Sequence, residues 1–144
     1  MIPSLALLLL AAATAPAYAT SSITATGSVT NLALDGGGSS TSHIVKVADL
    51  TMSTDAGLGF TVLISSGSLT KPGGAPIPFK VALVDDGAAP PPSNAFTTAS
   101  GMSITFATAT SGSVLKDLYI LYLSANVQDP GDYSASIVCD ITDN

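Results

Sequence analysis

A chain of 144 residues that is 47% hydrophobic and only 10% charged has the composition of a folded domain, because disordered chains are poor in apolar residues and rich in charge. The net charge is −6, and four lysines without any arginine exclude a basic surface for nucleic acid. The sequence has no glutamate, one histidine and one cysteine, so it lacks the residue types from which most catalytic sites are built. The length predicts a single domain.

The first residues of the chain have the pattern of a secretory signal peptide. Residues 4–16 form a short apolar run, and Ala17-Tyr18-Ala19 supplies a small-x-small cleavage site. The run is too short for a membrane span, which needs about 20 apolar residues. We therefore predict a leader over residues 1–19 and a mature domain over residues 20–144 with no membrane span. This places the protein outside the cell or on its surface, with the periplasm as its route.

Beyond the leader, apolar residues recur with period two in short runs, and clusters of Gly, Pro, Asp and Ser separate these runs. The pattern predicts strands with no helix between them. The seven predicted strands span residues 22–34, 44–53, 59–65, 78–85, 102–108, 116–125 and 133–142. Seven short strands with such turns predict an all-β fold, an antiparallel Ig-like β-sandwich. Serine and threonine on its exposed faces account for the low charge.

The alternation also assigns side chains to faces. In the second predicted strand, the apolar residues placed on one side are Ile44, Ala48, Leu50 and Met52. Residues 118–123 do not alternate, because the residues at odd-numbered and at even-numbered positions are both apolar. Either this strand is central and a loop covers its outer face, or the outer face meets another subunit. The first explanation is preferred, since buried strands often read as continuous apolar runs.

Cys139 and His43 are the chain's single cysteine and single histidine. Cys139 is two residues from Ile137 and from Ile141, so in a strand all three side chains point to the same face. This predicts a buried and inert thiol. An intermolecular disulfide or a nucleophile is the alternative. His43 has no second ligand at metal-binding spacing and no G-x-S-x-G motif beside it, so we predict a solvated loop residue. No cofactor is predicted.

Most of the ten aspartates lie in predicted turns, where hydrogen bonds to their own backbone explain them. Carboxylates from loops also suit Ca²⁺. The candidates for a calcium site are therefore Asp129 with Asp132 and Asp85 with Asp86, although no EF-hand spacing is present. A glycosidase pair of aspartates is disfavoured because the chain has no tryptophan to bind sugar. The glycines at 36–38 lack the lysine of a phosphate loop and predict a flexible hairpin connection.

Several segments resemble secreted bacterial pilin-like β-sandwiches. They are residues 49–55, 59–66 and 77–81, together with Pro130-Gly131-Asp132-Tyr133 before the last predicted strand. Subunits of the spore-coat-protein-U type and fimbrial subunits share this layout, and the resemblance covers most of the predicted mature chain. It implies an exported structural subunit. Those families often carry a disulfide, which a chain with one cysteine cannot form internally.

These observations predict an exported, non-enzymatic structural or adhesive surface protein, such as a pilus or coat subunit. Its partners would be further copies or related surface subunits, joined by β-strand contacts. The alternation of Ile23, Ala25, Gly27 and Val29 fits a strand donated to a neighbour's groove, and the alternative is that these residues form the first strand of their own sandwich. A second candidate function is an extracellular ligand-binding module for carbohydrate or calcium, with loops as the site.

Overall fold

Eight strands form two antiparallel sheets in the computed structural model, which describes residues 18–28, 31–34, 39–125 and 127–144. The strands are β1 (Ser21–Gly27), β2 (Thr41–Thr54), β3 (Phe60–Ser65), β4 (Gly67–Leu69), β5 (Ile77–Asp85), β6 (Ser103–Ala107), β7 (Gly112–Ser124) and β8 (Cys139–Asp143). Sheet A has the order β1-β2-β7-β5-β4, and sheet B has the order β6-β3-β8. The predicted all-β, antiparallel sandwich is confirmed.

Each of the seven predicted strands is present, at least in part, and two short elements are new. β4 lies within a predicted loop, and a one-turn 3-10 helix, Ser93–Ala95, follows the prolines. Within the described residues, no helix is long and apolar enough to cross a bilayer. Residues 1–17 of the predicted leader lie outside the described residues, as do Val29 and the glycines at 36–38.

The two largest boundary errors are at the end of the first predicted strand and the start of the last one, while β2 and β7 begin three and four residues earlier than predicted. The first strand was predicted to reach residue 34 but ends at Gly27, and the carbonyl of Ala33 accepts a hydrogen bond from the Tyr122 hydroxyl (2.9 Å). The last strand was predicted from residue 133 but begins at Cys139. Ser134 pairs with Thr70, beside β4 of sheet A, whereas β8 belongs to sheet B. The chain therefore crosses between the sheets and cannot continue one ladder.

The main hydrophobic core lies between the two sheets. Inward side chains of β2, β5 and β7 meet those of β3, with β6 and β8 contributing partly buried residues. The largest fully buried apolar or aromatic side chains are Tyr122, Phe60, Phe79, Leu50, Met52, Ile64, Val62 and Val81. On the outer face of sheet B, the exposed strand positions are serine, threonine, alanine and leucine, with Asp140 as the charged one. This matches the predicted cause of the low charge.

A β-bulge in β2 corrects the predicted face of Ile44. The pairing of β2 with β7 shifts between Lys46 and Ala48, so Val47 is an extra residue. An extra residue reverses the alternation beyond it. Ala48, Leu50 and Met52 face the main core as predicted, but Ile44 packs on the opposite face of the sheet. A prediction from strict alternation of apolar and polar residues cannot detect such an extra residue.

A second hydrophobic cluster lies on the outer face of sheet A. The residues 86–100, here called the covering segment, connect β5 towards β6 and place Phe96 on Ala82 and Tyr119. Leu121 joins the same cluster, so both faces of β7 are buried over much of its length. β7 is also central in sheet A. Of the two explanations for the continuous apolar run, the covered central strand is confirmed.

Gly59 is required where the chain enters β3. Its φ of 82° is in the left-handed region, and a Cβ at this position would lie 2.3 Å from the carbonyl oxygen of Thr108. The close approach lets the Thr108 side-chain hydroxyl accept a hydrogen bond from the Phe60 N–H (3.1 Å). The turn therefore depends on the absence of a side chain.

Replacing Phe96 by alanine tests whether the covering segment is a structural part of the fold. Phe96 is 3% exposed, and its removal should lower the free energy of unfolding by about 3 kcal/mol, because such truncations leave a cavity. Chemical denaturation measures the change. Leu58→Ala is the matched control, since Leu58 is 70% exposed and should cost less than about 0.5 kcal/mol. Equal losses for the two variants would contradict the described packing.

Candidate functional site

β1 forms an edge of sheet A that carries no charge and no proline. Its seven residues pair with β2 along their whole length, and no described strand pairs with the other edge. Only Ile23 packs against the main core, and it is half-buried, while the residues from Thr24 to Gly27 are exposed. Natural edge strands are usually protected by lysine, proline or a bulge. This edge, called the β1 edge below, lacks all three.

Charged groups of sheet A also lie on its inner strands β5 and β7, whereas its second edge strand, β4, carries none. The Lys116 ammonium lies 2.5 Å from the Asp85 carboxylate and 4.9 Å from the centre of the Phe106 ring, so it bridges β7, β5 and β6. Lys80 lies on β5. β8, near β1 in the other sheet, contains two aspartates but no lysine. Of the four outermost strands, β1, β4 and β6 contain no charged residue, and β1 is the longest of these three.

Serine and threonine continue from the β1 edge across the outer face of sheet A. The cross-strand pairs Ser22–Ser53 and Thr24–Thr51 form two adjacent rows, which β7 extends with Ser113 and Leu115. The Ser22 and Ser53 hydroxyls are 2.8 Å apart and hydrogen-bonded. These two rows carry no charge, so a second copy could approach this part of the face without electrostatic repulsion.

A cluster of three carboxylates and one ammonium lies further along the same face. The Lys46 Nζ is 2.6 Å from Asp49 Oδ1 and 2.9 Å from Asp117 Oδ1. Asp117 is 1% exposed, and its other oxygen accepts a hydrogen bond from the Gly87 N–H (3.2 Å) at the start of the covering segment. The positive φ of Gly87 (71°) belongs to the turn that delivers this N–H. The cluster therefore fastens the covering segment to the sheet.

The ion pairs shift the pKa values of both partners in the direction that keeps them charged. The hydrogen bond from Lys46 holds the pKa of Asp117 below its usual range, against the opposing effect of burial, and Gly87 adds to the lowering. Hydrogen bonds to Asp49 and Asp117 raise the pKa of Lys46. A buried carboxylate needs such a partner, because an isolated charge in the interior is very costly.

The same cluster is the place where a cation could be held. Carboxylate oxygens of Asp49, Asp86 and Asp117 all lie within 4.8 Å of one another. This arrangement offers the oxygen ligands that Ca²⁺ prefers. However, the Lys46 ammonium already contacts two of the three carboxylates and supplies the positive charge. The residues therefore fit a lysine-neutralised cluster better than a metal centre.

The structure places the residues of the two predicted calcium pairs, Asp85 with Asp86 and Asp129 with Asp132, in different surroundings. Asp85 pairs with Lys116, and Asp86 joins the carboxylate cluster described above. Asp129 Oδ2 accepts a hydrogen bond from the Ala75 N–H at 3.4 Å. Asp132 lines a cavity of about 580 Å³ between the inner face of sheet A and the segments 31–34 and 131–137. The apolar residues of that cavity's lining include Leu32, Leu34, Val47, Leu69, Phe79 and Ile120.

The prediction that His43 is a solvated loop residue is wrong. His43 is the third residue of β2 and is partly buried, with its ring stacked on Tyr122 at 5.0 Å between centroids. Its Nε2 lies 3.3 Å from Ser124 Oγ. Ser124 is fully buried, and its hydroxyl donates to the carbonyl of Thr41 (3.2 Å). A hydroxyl that is closed to solvent and directed at the backbone is not placed to attack a substrate.

Cys139 faces the main core, as its parity predicts, although it is only half-buried. Ile137 and Ile141 pack against the same core. Burial raises the pKa of the Cys139 thiol, and the charge of Asp140 raises it further. A thiol with a raised pKa is a poor nucleophile at neutral pH. This agrees with the predicted inert role.

Sequence reasoning missed the Lys46 cluster, and the β-bulge explains why. Strict alternation places Lys46 and Asp49 on opposite faces, whereas the extra residue Val47 brings both to the outer face. Asp117 offered one signal, because it is a charge directly beside the continuous apolar run that begins at Leu118. A charge beside a strand that is buried on both faces implies a partner.

Comparisons of the chain with models of protein families, with curated proteins and with solved structures found no match. The class that the structure itself defines is an antiparallel β-sandwich of a five-stranded and a three-stranded sheet. Its longest uncharged edge strand is β1.

The pH dependence of stability tests the charge on Asp117. Because its pKa is lower in the folded state, Asp117 stabilises the fold above about pH 4, its unfolded-state pKa, and this contribution is lost as the pH falls towards the folded-state value. Asp117→Asn should therefore be less stable than the unaltered chain at neutral pH, and the difference should shrink below about pH 4. Chemical denaturation over a pH series measures it. The exposed Asp140→Asn control should show no comparable difference, and a gap for Asp117→Asn that stays constant with pH would contradict the ion pair.

Calcium addition tests whether Lys46 takes the place of a metal. We expect the melting temperature of the unaltered protein to be the same in Ca²⁺ and in EDTA, because the ammonium already neutralises the cluster. Lys46→Gln should melt lower in EDTA and regain stability in Ca²⁺, since three carboxylates would then lack a cation. Lys80→Gln is the control with the same charge change. A calcium-dependent rise in the unaltered protein would contradict the role given to Lys46.

Proposed function

We propose that this chain is an exported, non-enzymatic structural or adhesive protein of the cell surface, whose subunits join by β-strand pairing. The observation that carries the proposal is the β1 edge: a strand that pairs with β2 on one side, meets no described strand on the other, and has no charge, proline or bulge. In a free monomer such an edge invites aggregation. In a subunit of an assembly, the same edge provides the contact.

Export is supported by the way in which the predicted cleavage site fits the fold. Cleavage after Ala19 would make Thr20 the first residue, immediately before β1. The Thr20 backbone nitrogen lies 2.5 Å from Asp55 Oδ1. The new α-ammonium would pair with this carboxylate, and charged hydrogen bonds are about twice as strong as neutral ones. Leader removal would thus hold the start of β1 against the end of β2.

A surface role is supported by the low charge of the outer faces. Rows of serine and threonine cover the outer face of sheet A near β1 and most of the outer face of sheet B. Polar side chains without charge can lie against a neighbouring subunit at a lower desolvation cost than lysine or glutamate. Large exposed side chains such as Leu63 and Val138 add apolar contact area on sheet B.

A calcium-binding module is the second candidate function. The observation in its favour is the approach of Asp49, Asp86 and Asp117 to within 4.8 Å of one another. The comparison of Ca²⁺ with EDTA described above separates the two candidates, because only this one requires a calcium-dependent stability of the unaltered chain.

A lysine in the middle of the β1 edge tests the proposed assembly. Thr24→Lys should convert the exported multimer to monomer while the melting temperature changes little, because Thr24 is exposed. Light scattering of the exported protein measures the mass. Thr51→Lys is the matched control, since Thr51 pairs with Thr24 in the same row but on the inner strand β2, and this variant should stay multimeric.

Localisation completes the test of the proposed function. The full chain should appear in the surface fraction of the producing cell. An unaltered protein that is monomeric at every concentration and occurs only in the culture medium would contradict the proposal. Multimers that Thr24→Lys leaves intact would place the assembly contact on another surface.

A further inference from the structure

The odd-numbered residues of β1 present the hydrogen-bonding groups at its free edge. The Ser28 N–H donates to the carbonyl of Val47 (3.0 Å), in the same register as the β1–β2 pairs that precede it. In an antiparallel ladder, alternate residues direct both backbone groups to the same neighbour. The even-numbered residues of β1 therefore bond to β2. The residues whose N–H and C=O point outwards are Ser21, Ile23, Ala25 and Gly27.

A second copy of β1 matches this edge in an antiparallel register centred on Thr24. In that register Thr24 meets the partner's Thr24, and every odd-numbered residue meets an odd-numbered one, so outward donors face outward acceptors along the whole strand. On the core side, half-buried Ile23 meets the partner's Ala25. On the outer side, Ser22 meets the partner's Thr26. Apolar groups face apolar groups, polar groups face polar groups, and no charges are opposed.

Two subunits could associate either by pairing the free edges of their β1 strands or by exchanging β1 between them. Only edge pairing adds contacts that the single chain does not already have. β1 is hydrogen-bonded to β2 over its full length, and the Thr20 nitrogen is bound to Asp55. A donated β1 would leave these contacts and find identical ones in a neighbour. Edge pairing keeps them and adds a new backbone ladder, and it also covers Ala25, which is exposed in the single chain.

We propose that two copies of this chain join their sheets A through antiparallel β1–β1 pairing about a two-fold axis at Thr24. The result is one continuous sheet made from two five-stranded sheets. The contact is isologous, with the same strand used by both subunits. This inference rests on the proposed function and specifies which surface and which register the assembly uses.

Disulfide trapping tests the register. Thr24→Cys is made in the full chain with Cys139→Ala, so that residue 24 carries the only thiol. Directly opposed residues of a non-hydrogen-bonded pair have Cα atoms about 4.5 Å apart, within the range of a disulfide. Under mild oxidation, at a concentration where light scattering detects multimers, we expect more than about half of the chains to form a linked dimer. The reduced variant should melt like its parent.

Neighbouring positions supply the controls. Ser22→Cys and Thr26→Cys, each alone in the same background, should cross-link several-fold less than Thr24→Cys. A mixture of these two variants should form the mixed dimer, because residue 22 faces the partner's residue 26. A second experiment needs no cysteine. Thr24→Lys and Thr24→Asp should each be monomeric, because like charges would be directly opposed, and mixing the two variants should restore the dimer mass.

The outcomes separate this inference from the proposed function. Multimers in which Thr24→Cys cross-links no better than Ser22→Cys, and in which mixing the charged variants restores nothing, overturn the two-fold β1 contact but leave surface assembly standing. A protein that is monomeric at every concentration overturns both. Preferential cross-linking at residue 24 together with rescue by opposite charges supports the proposed register.

Discussion

The burial of β7 on both faces is the constraint on which the rest of the structure depends. Its inward residues complete the core between the sheets, and its outward residues Tyr119 and Leu121 need a second cover. The covering segment provides it by placing Phe96 on that face. Asp117, on the same strand, is buried with them and requires a positive partner, which Lys46 supplies from β2. One central strand thus accounts for the long connection after β5 and for the cluster of charges beneath it.

The bulge at Val47 makes that arrangement possible. It keeps Ala48, Leu50 and Met52 in the core while turning Lys46 and Asp49 to the same outer face. Without the extra residue, Lys46 or Asp49 would point into the apolar interior. A local irregularity in one strand therefore places a neutralising lysine opposite a buried carboxylate, and the paired charges stabilise the packing of a segment that has little regular structure of its own.

The strands and their faces could be predicted from the sequence wherever alternation is uninterrupted. β3, β5 and β6 lie where the pattern placed them, and the run from Leu118 correctly indicated a covered central strand. The failures have a common cause: they depend on contacts between distant residues. The start of the last strand is decided by the pairing of Ser134 with Thr70, and the position of His43 by its stacking on Tyr122. The carboxylate cluster depends on the bulge at Val47, and an alternating pattern of apolar and polar residues does not reveal a bulge.

The charged residues of sheet A lie on its inner strands, and its two edge strands carry none. Lys116 and Asp85 pair between β7 and β5, and Lys80 also lies on β5. The edge strand β1 offers only backbone groups and uncharged side chains. An isologous contact at β1 closes on itself, so a longer assembly needs a second, different contact. The outer face of sheet B, with Leu63 and Val138 exposed among serine and threonine, has the composition for it. The placement of the few charges therefore leaves β1 as the longest uncharged edge strand of the sandwich.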